Sequence, residues 1–419
     1  MVMNENGVIR EGFRMTELGP LPEEWEVVRV VDCCDFERGA EPGSNSYNRQ
    51  GNGIPFIRVG NISTGIQELL YTNSNNVKMC KREDILMSFD GSSGVVVKGF
   101  TGAYSSGIRK VIPKMSHMDK TFLFYALKTR FVQNTVEKYT TGITIKHASK
   151  SLPHIKIPFP SLAEQQKIAA ILSAVQEAKE KTGAVINATK ALKKSMMKHL
   201  FTYGPVPLLE AENIPLKETE IGMIPEDWEV VRLGDVAEDR RETVDPKKKD
   251  IAYVGLEHLT PGTIRLNNYG NSKEIKSSKS KFYKDDILYA KLRPYLDKGV
   301  LAEFEGICST DIIVIQPNKR LINPQYLAYF IHISKFLDFA TKSMTGVNHP
   351  RTSWSILKTF KIPFPPLSTQ QKIASILSVI DQKIEAEENK KRALEDLFKT
   401  LLYNLMTAQI RVNHLEVEI

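Results

Sequence analysis

Two Glu-x-Lys spacings, Glu177-Ala-Lys179 and Glu388-Asn-Lys390, are the residues of this chain closest to a metal-dependent nuclease. Such a site sets paired carboxylates and a lysine around a scissile phosphate. No paired carboxylates stand out with either as a metal-nuclease site, and both lie in long helical stretches, so they read as solvated helix faces. The segments PFPSL (158–162) and PFPPL (363–367) resemble superficially the Asn/Asp-Pro-Pro-aromatic motif that orients a target amine for methyl transfer, but Phe159 and Phe364 sit where the amide or carboxylate should be. The eight histidines, at 117, 147, 154, 199, 258, 332, 349 and 414, make no HxH or HExxH spacing. No GxxxxGK[ST] loop and no GxSxG elbow occurs. Cys33 and Cys34 are adjacent, with Cys80 and Cys308 apart, which excludes a CxxC metal site and a disulfide scaffold and predicts buried thiols. The residue types present suit binding better than bond breaking.

The chain has 419 residues, 42% hydrophobic and 25% charged, enough apolar material for real cores. Its net charge of +8 is unevenly spread. Residues 101–200 carry 17 Lys and Arg against 5 Asp and Glu, and residues 251–300 carry 9 against 5. Residues 1–50 and 201–250 are instead acidic, with 5 against 10 and 7 against 13. A local basic field is the footprint of a polyanion partner; a lysine-rich solvated surface gives the same count. No apolar run approaches a membrane span and the N-terminus lacks a secretory signal, so a cytoplasmic protein is expected.

The elements that must position any site are repeated. Residues 16–29 (TELGPLPEEWEVVR) and 219–232 (TEIGMIPEDWEVVR) match at ten of fourteen positions. Residues 156–175 (KIPFPSLAEQQKIAAILSAV) and 361–380 (KIPFPPLSTQQKIASILSVI) match at fourteen of twenty. Offsets of 203 and 205 mean that a whole half is duplicated. Each half begins with short β-type runs bounded by Gly, Asn, Ser and Pro. One helical segment closes each such region, at 119–136 and 323–341, giving an α+β class. A long helix follows, opened by Pro160 or by Pro365–Pro366, with capping-box spacings Ser161/Glu164 and Ser368/Gln371. The first runs to about Phe201 and the second from about Leu367 to Ala408.

Alternating three- and four-residue spacing predicts a coiled-coil seam. It comprises Ile168, Ile171, Val175, Leu192 and Met196 on the first helix and Ile373, Leu377, Ile380, Ile384, Leu394, Phe398, Leu401 and Leu405 on the second. Both seams are small or polar at mid-length (Ala178 and Thr182; Glu387 and Lys391). Each helix follows a globular region, so an approximate two-fold axis runs them antiparallel; packing of each helix on its own domain is the alternative. Trp25 and Trp228 occupy equivalent places and read as core.

The repeated IPF-P-x-L-x-x-QQKIA-x-IL helix openings and the (L/I)PE-(E/D)-WEVVR starts resemble type I restriction-modification specificity subunits, from about Thr16 to Ala408. That resemblance implies two DNA target-recognition domains, each joined to a helical region, with the helices in an antiparallel coiled coil. The expected division is 1–157, N-terminal tail and first recognition domain; 158–203, first helical region; 204–223, a Pro-rich acidic linker; 224–362, second recognition domain; and 363–419, second helical region and tail. It also implies a split double-stranded DNA site, one part per domain, across unread bases. Methylation and cleavage then belong to modification subunits, two of them, and to restriction subunits. S-adenosylmethionine, ATP and Mg are expected on those partners, with no cofactor, metal or catalytic residue in this chain.

Phosphate contacts supply affinity, and base-edge contacts, with Arg suited to guanine and Asn to adenine, supply choice. The candidates in the first half are Arg58, Asn61, Ser88, Ser92, Ser93, Thr144, Lys146 and His147. Those in the second are His258, Lys291, Arg293, Tyr295, Lys298, Asn348, His349 and Arg351, with Lys273, Lys276, Lys279 and Lys281 as a phosphate-facing run. Each competes with a fold-supporting role. Gln165, Gln166, Gln370 and Gln371 are candidate docking residues for modification subunits, or helix-start hydrogen-bonding groups. The helices would act as a spacer, four added residues being worth ~6 Å, close to two base pairs. A stand-alone DNA-binding structural protein and the detached reading half of a single-chain restriction enzyme are the competing classes.

Overall fold

The computed structural model describes residues 11–64, 68–144, 146–245, 250–275 and 277–415. The chain forms two compact units, Met1–Thr182 with Lys390–Ile419, and Gly183–Asn389. Each builds the same α+β fold. In the first unit a hairpin (Phe13–Thr16 with Gly19–Pro22) precedes strand Glu26–Arg29, which pairs antiparallel with Lys156–Phe159. The WEVVR and KIPF repeats are therefore one two-stranded clasp at the foot of the long helix. A four-stranded antiparallel sheet runs Cys34–Arg38, Ile108–Pro113, Ile85–Ser88, Val96–Val97. A five-stranded sheet contains one parallel pair, Ile54–Ile57 with Gly102–Tyr104.

The second unit repeats the hairpin (Leu216–Thr219 with Gly222–Pro225) and the clasp (Glu229–Arg232 with Lys361–Phe364). Its antiparallel sheet runs Ala237–Asp239, Ile312–Pro317, Ile287–Ala290, Gly299–Leu301. Only the edges of the mixed sheets differ: Tyr47–Asn48 flanks Leu70–Thr72 in the first unit, and Thr243–Val244 flanks Lys279–Phe282 in the second. Residues 204–223, expected as an extended linker, contain a 3₁₀ turn (Leu208–Asn213) and most of that second hairpin.

Trp25 and Trp228 are core residues, 1% and 3% exposed. The Trp25 indole N–H donates to Glu164 on the first long helix (3.0 Å), whose other oxygen accepts from Arg411 (2.9 Å). Glu164 therefore does not close the expected capping box, although its own N–H lies 3.3 Å from the Ser161 hydroxyl. Ser368 does not cap the second long helix either; it is exposed inside it, and Pro366 O accepts from Thr369 and Gln370 instead. The single helix expected at 119–136 is two, Lys120–Ala126 and Arg130–Lys138. Thr129 is extended between them, and its hydroxyl caps Ala126 O at 2.6 Å while Gln133 caps Leu127 O at 2.9 Å. The second unit breaks likewise, into Pro324–Phe330 and Ser334–Lys342, where His332 reaches Asp297 (2.7 Å) and Gly299 O (2.9 Å).

The long helices are Leu162–Tyr203 and Leu367–Met406. In the first unit Ile168, Ala169 and Leu172 share a core with Leu405, Met406 and Ala408, and the Phe398 ring meets Tyr125 at 5.8 Å. In the second, Leu200 and Phe201 pack with Ile373, Ala374 and Leu377. The start of one helix thus lies beside the end of the other in each unit, which makes the pair antiparallel. The predicted seam of the second helix is buried or half-buried throughout, from Ile373 to Leu405. On the first helix Ile168 is buried and Ile171, Val175 and Met196 are half-buried, but Leu192 is 52% exposed. The buried stripe passes instead through Thr182, Ile186, Lys193 and Leu200. A straight α-helix drifts by ~20° per heptad against a strict seven-residue repeat, and three heptads suffice to move the stripe one residue on. No helix among the described residues is long and apolar enough to cross a membrane.

Candidate nucleic-acid interface

Each antiparallel sheet ends in a loop clamped to a second loop that follows the helix pair. In the first unit, strand Ile85–Ser88 runs into the turn 89–94, and residues 141–147 close beside it. Phe89 N–H donates to Gly107 O (2.8 Å), Ala148 N–H to Phe89 O (2.7 Å) and Gly91 N–H to Lys146 O (2.8 Å). Bridges join Asp90 to His147 and Thr141 to His147. The second unit repeats this frame. Lys291 N–H donates to Asp311 O (3.0 Å), Thr352 N–H to Lys291 O (3.0 Å) and Arg293 N–H to Pro350 O (2.9 Å), with bridges Leu292–Arg351 and Thr345–Arg351. Residues as distant as Ser92 and Lys146, or Arg293 and His349, become neighbours because the sheet and the helix pair end at one place.

The side chains on the two frames differ. His147 Nδ1 lies 2.7 Å from Asp90 Oδ1, and Arg38 stands 3.9 Å from the same carboxylate. Thr144, Lys146 and Ser92 are exposed and Ser93 is half-buried, so the polar turn and the 144–147 segment form one surface. Ser88 does not belong to it: it is fully buried, its hydroxyl donating to Ser92 O and accepting from Val95 N–H (3.0 Å). Arg109 lies beneath, donating to Ser149 Oγ at 2.7 Å with its guanidinium 5.2 Å from the Phe89 ring centroid; burial holds its pKa below the ordinary value. On the second frame Arg351 donates to Asp311 (2.9 Å), which raises its pKa further. Arg293, Tyr295, Asn348 and His349 are exposed and Lys291 is half-buried. Arg293 has φ 51, a left-handed conformation that a non-glycine residue adopts at a cost, held by its bond to Pro350.

Several expected readers also make hydrogen bonds within the fold. Asn61 is 7% exposed and its Oδ1 accepts from Arg58 N–H (2.9 Å), capping helix Val59–Ser63. His258 does the same work, its Nδ1 accepting from Gly255 N–H at 2.8 Å. Arg58 is half-buried, and its Nε meets no hydrogen-bond partner among the described residues. Lys298 donates to Leu256 O at 2.7 Å. Lys273 pairs with Asp250 (3.3 Å), Lys281 with Glu242 (3.6 Å), and Lys279 reaches Ser277, so this run is partly neutralised; Lys276 lies outside the described residues.

Gln165 and Gln370, expected as docking residues, are fully buried. Gln165 accepts from Asp119 N–H (2.8 Å) and donates to Pro160 O (2.9 Å) and His117 O (3.2 Å). Gln370 accepts from Asn323 N–H (2.8 Å) and donates to Pro365 O (2.9 Å) and Leu321 O (3.3 Å). Asp119 and Asn323 are the N-caps of the short helices, so each glutamine locks a helix pair to a long helix. Gln371 is exposed and Gln166 half-buried. Sequence reasoning missed Arg38, Arg109 and Asp311, which the folding of the sheets brings to the loops. For the glutamines a signal existed: 165, 168, 172 and 370, 373, 377 follow one helical stripe, with Ile168, Leu172, Ile373 and Leu377 at its core.

A family model described as type I restriction modification DNA specificity domain matches residues 22–188 and 225–396. The type I restriction enzyme MjaVIII specificity subunit of Methanocaldococcus jannaschii is 30% identical over 427 residues, covering 97% of each chain. The EcoDI specificity subunit of Escherichia coli is 24% identical over 85% of this chain and 81% of its own. Among solved structures, the type I restriction-modification S subunit from M. genitalium superposes with a TM-score of 0.59 at 19% identity, over 91% of this chain and 96% of that one.

Proposed function

This chain belongs to the type I restriction modification DNA specificity family, and from that premise we propose that its two loop frames read the two halves of a split site in double-stranded DNA. The observation that carries this reading is one backbone frame built twice with different side chains upon it. A shared frame presents residues to duplex DNA in the same way, and His147, Lys146 and Thr144 against Arg351, Asn348 and His349 make the two halves read different bases. Arg293, Lys291, Tyr295, Ser92 and Ser93 flank these readers, and Lys273, Lys279 and Lys281 supply phosphate contacts.

Methyl transfer and cleavage are the work of partners, two modification subunits and the restriction subunits, which bring S-adenosylmethionine, ATP and Mg. This chain chooses the site, in the cytoplasm, and performs no chemistry on it. Co-expression with a modification subunit, followed by sequencing of methylated bases in the host DNA, tests the reading. A single bipartite motif with an unread spacer is expected. Exchange of residues 224–362 for those of a relative should change one half of the motif only. A contiguous motif, or no methylation dependent on this chain, would overturn it.

A further inference from the structure

Three large apolar residues among those described are more than nine-tenths exposed: Ile143, Val347 and Leu209. The first two hold the same position of the repeat. Thr141-Gly142-Ile143 and Thr345-Gly346-Val347 open the second loop of each frame, 204 residues apart. Each loop is closed at its base by a reciprocal pair of backbone bonds, Thr141 with His147 (2.9 and 2.7 Å) and Thr345 with Arg351 (both 3.0 Å). Gly142 (φ 99) and Gly346 (φ 93) take backbone angles that side-chain-bearing residues avoid, and so turn the next residue outward. The result is a β-branched aliphatic side chain carried at a loop tip and almost wholly exposed. The interiors of the two halves otherwise diverge, and the residues after the tip (Thr144, Lys146 and His147; Asn348, His349 and Arg351) match at no equivalent position.

An exposed aliphatic tip adds nothing to phosphate affinity. Among polar and cationic neighbours, its natural partner on duplex DNA is the one aliphatic group that a base pair shows in the major groove, the thymine 5-methyl. Resting on the reading above, we propose that Ile143 and Val347 each contact a thymine methyl, one in each half-site, while the residues beyond the tip read neighbouring bases.

The test uses the full chain in complex with its modification subunit, selecting from a library of randomised duplexes. Ile143→Ala should relax a T·A position in one half of the enriched motif, and Val347→Ala a T·A position in the other, with unchanged melting temperatures because neither side chain packs. Deoxyuridine in place of that thymidine should weaken the wild-type complex about fourfold, the worth of one buried methyl group, and the alanine variant not at all. Motifs unaltered by either variant would overturn the inference alone. So would uniform weakening with an unchanged motif, which is the behaviour of a wedge between base steps. A wild-type complex that enriches no motif would overturn the functional reading, and this inference with it.

Discussion

At the residue scale, the side chains that set the architecture are polar ones with every bond used. Gln370 satisfies one N–H and two carbonyls at the junction of the second long helix with Asn323. Gln370→Leu fills the same space and leaves those groups buried without partners. Urea unfolding should show a loss of about 2–4 kcal/mol, whereas the exposed Gln371→Leu should stay within about 0.5 kcal/mol. A docking role for Gln370 would give the opposite result, weakened capture of the modification subunit with stability unchanged. Lys128 tests charge rather than hydrogen bonding. Its ammonium stands 4.1 Å from the Phe124 ring centroid, and burial, with Lys179 and Lys98 nearby, lowers its pKa to about 8. Below that pH the folded chain carries the whole penalty of a buried cation. The penalty fades as pH rises from about 8 toward the unfolded value of about 10.4. Stability of the wild type should therefore climb across that window. Lys128→Met should be more stable at pH 7, on the order of 1 kcal/mol, and should lack the climb; equal slopes for the two proteins would contradict this account.

At the element scale, what was legible in the sequence was whatever one periodicity controls. The duplication, the WEVVR strands and both long helices follow from repeated words and three-four spacing; that KIPF is the strand paired with WEVVR does not. Less legible was whatever depends on a partner distant in sequence. The break at Ile333 comes with His332 reaching Asp297, 35 residues away; the break at Thr129 is capped locally, by Thr129 and Gln133, but no periodicity marks it. Leu192 failed because a heptad template was extended past the point where a straight helix keeps step with it. The same drift puts Lys193 in the stripe. Its Nζ meets Asp381 Oδ1 at 2.7 Å, Asp381 accepts from Tyr329 OH at 2.8 Å, and both charged side chains are about a tenth exposed. The equivalent of Lys193, 205 positions on, is Phe398, whose ring meets that of Tyr125 at a tilt of 59°. The equivalent positions of the two units are thus ionic in one and aromatic in the other. Lys193→Met strands a buried carboxylate and should cost about 3–5 kcal/mol. Adding Asp381→Asn removes that charge, keeps an acceptor for Tyr329, and should restore most of the loss. Lys190→Met, which breaks the exposed 2.7 Å pair with Glu388, should cost no more than about 1 kcal/mol. If the double variant is no better than Lys193→Met, the ionic crossing is not what holds this register.

At the scale of the whole molecule, the long helices belong to both units. The first passes from one to the other at Thr182–Gly183 and the second returns at Asn389–Lys390. If the two units read two half-sites, as proposed, helix length is the variable that would set the spacing between them. An insertion in one helix alone cannot test this, since it slides one unit's seam out of register with its antiparallel partner and is paid for in stability. Matched insertions of four residues, after Thr182 and after Asn389, keep both crossings in register and add ~6 Å to each helix. The unread spacer of the methylated motif should then grow by about two base pairs, with the bases in each half unchanged. Because the frames of loops 89–94 with 141–147 and 290–297 with 345–351 are each closed within one unit, nothing in the insertion alters what they read. A motif with unchanged spacing would separate reading from measuring and assign the spacing to the partner subunits.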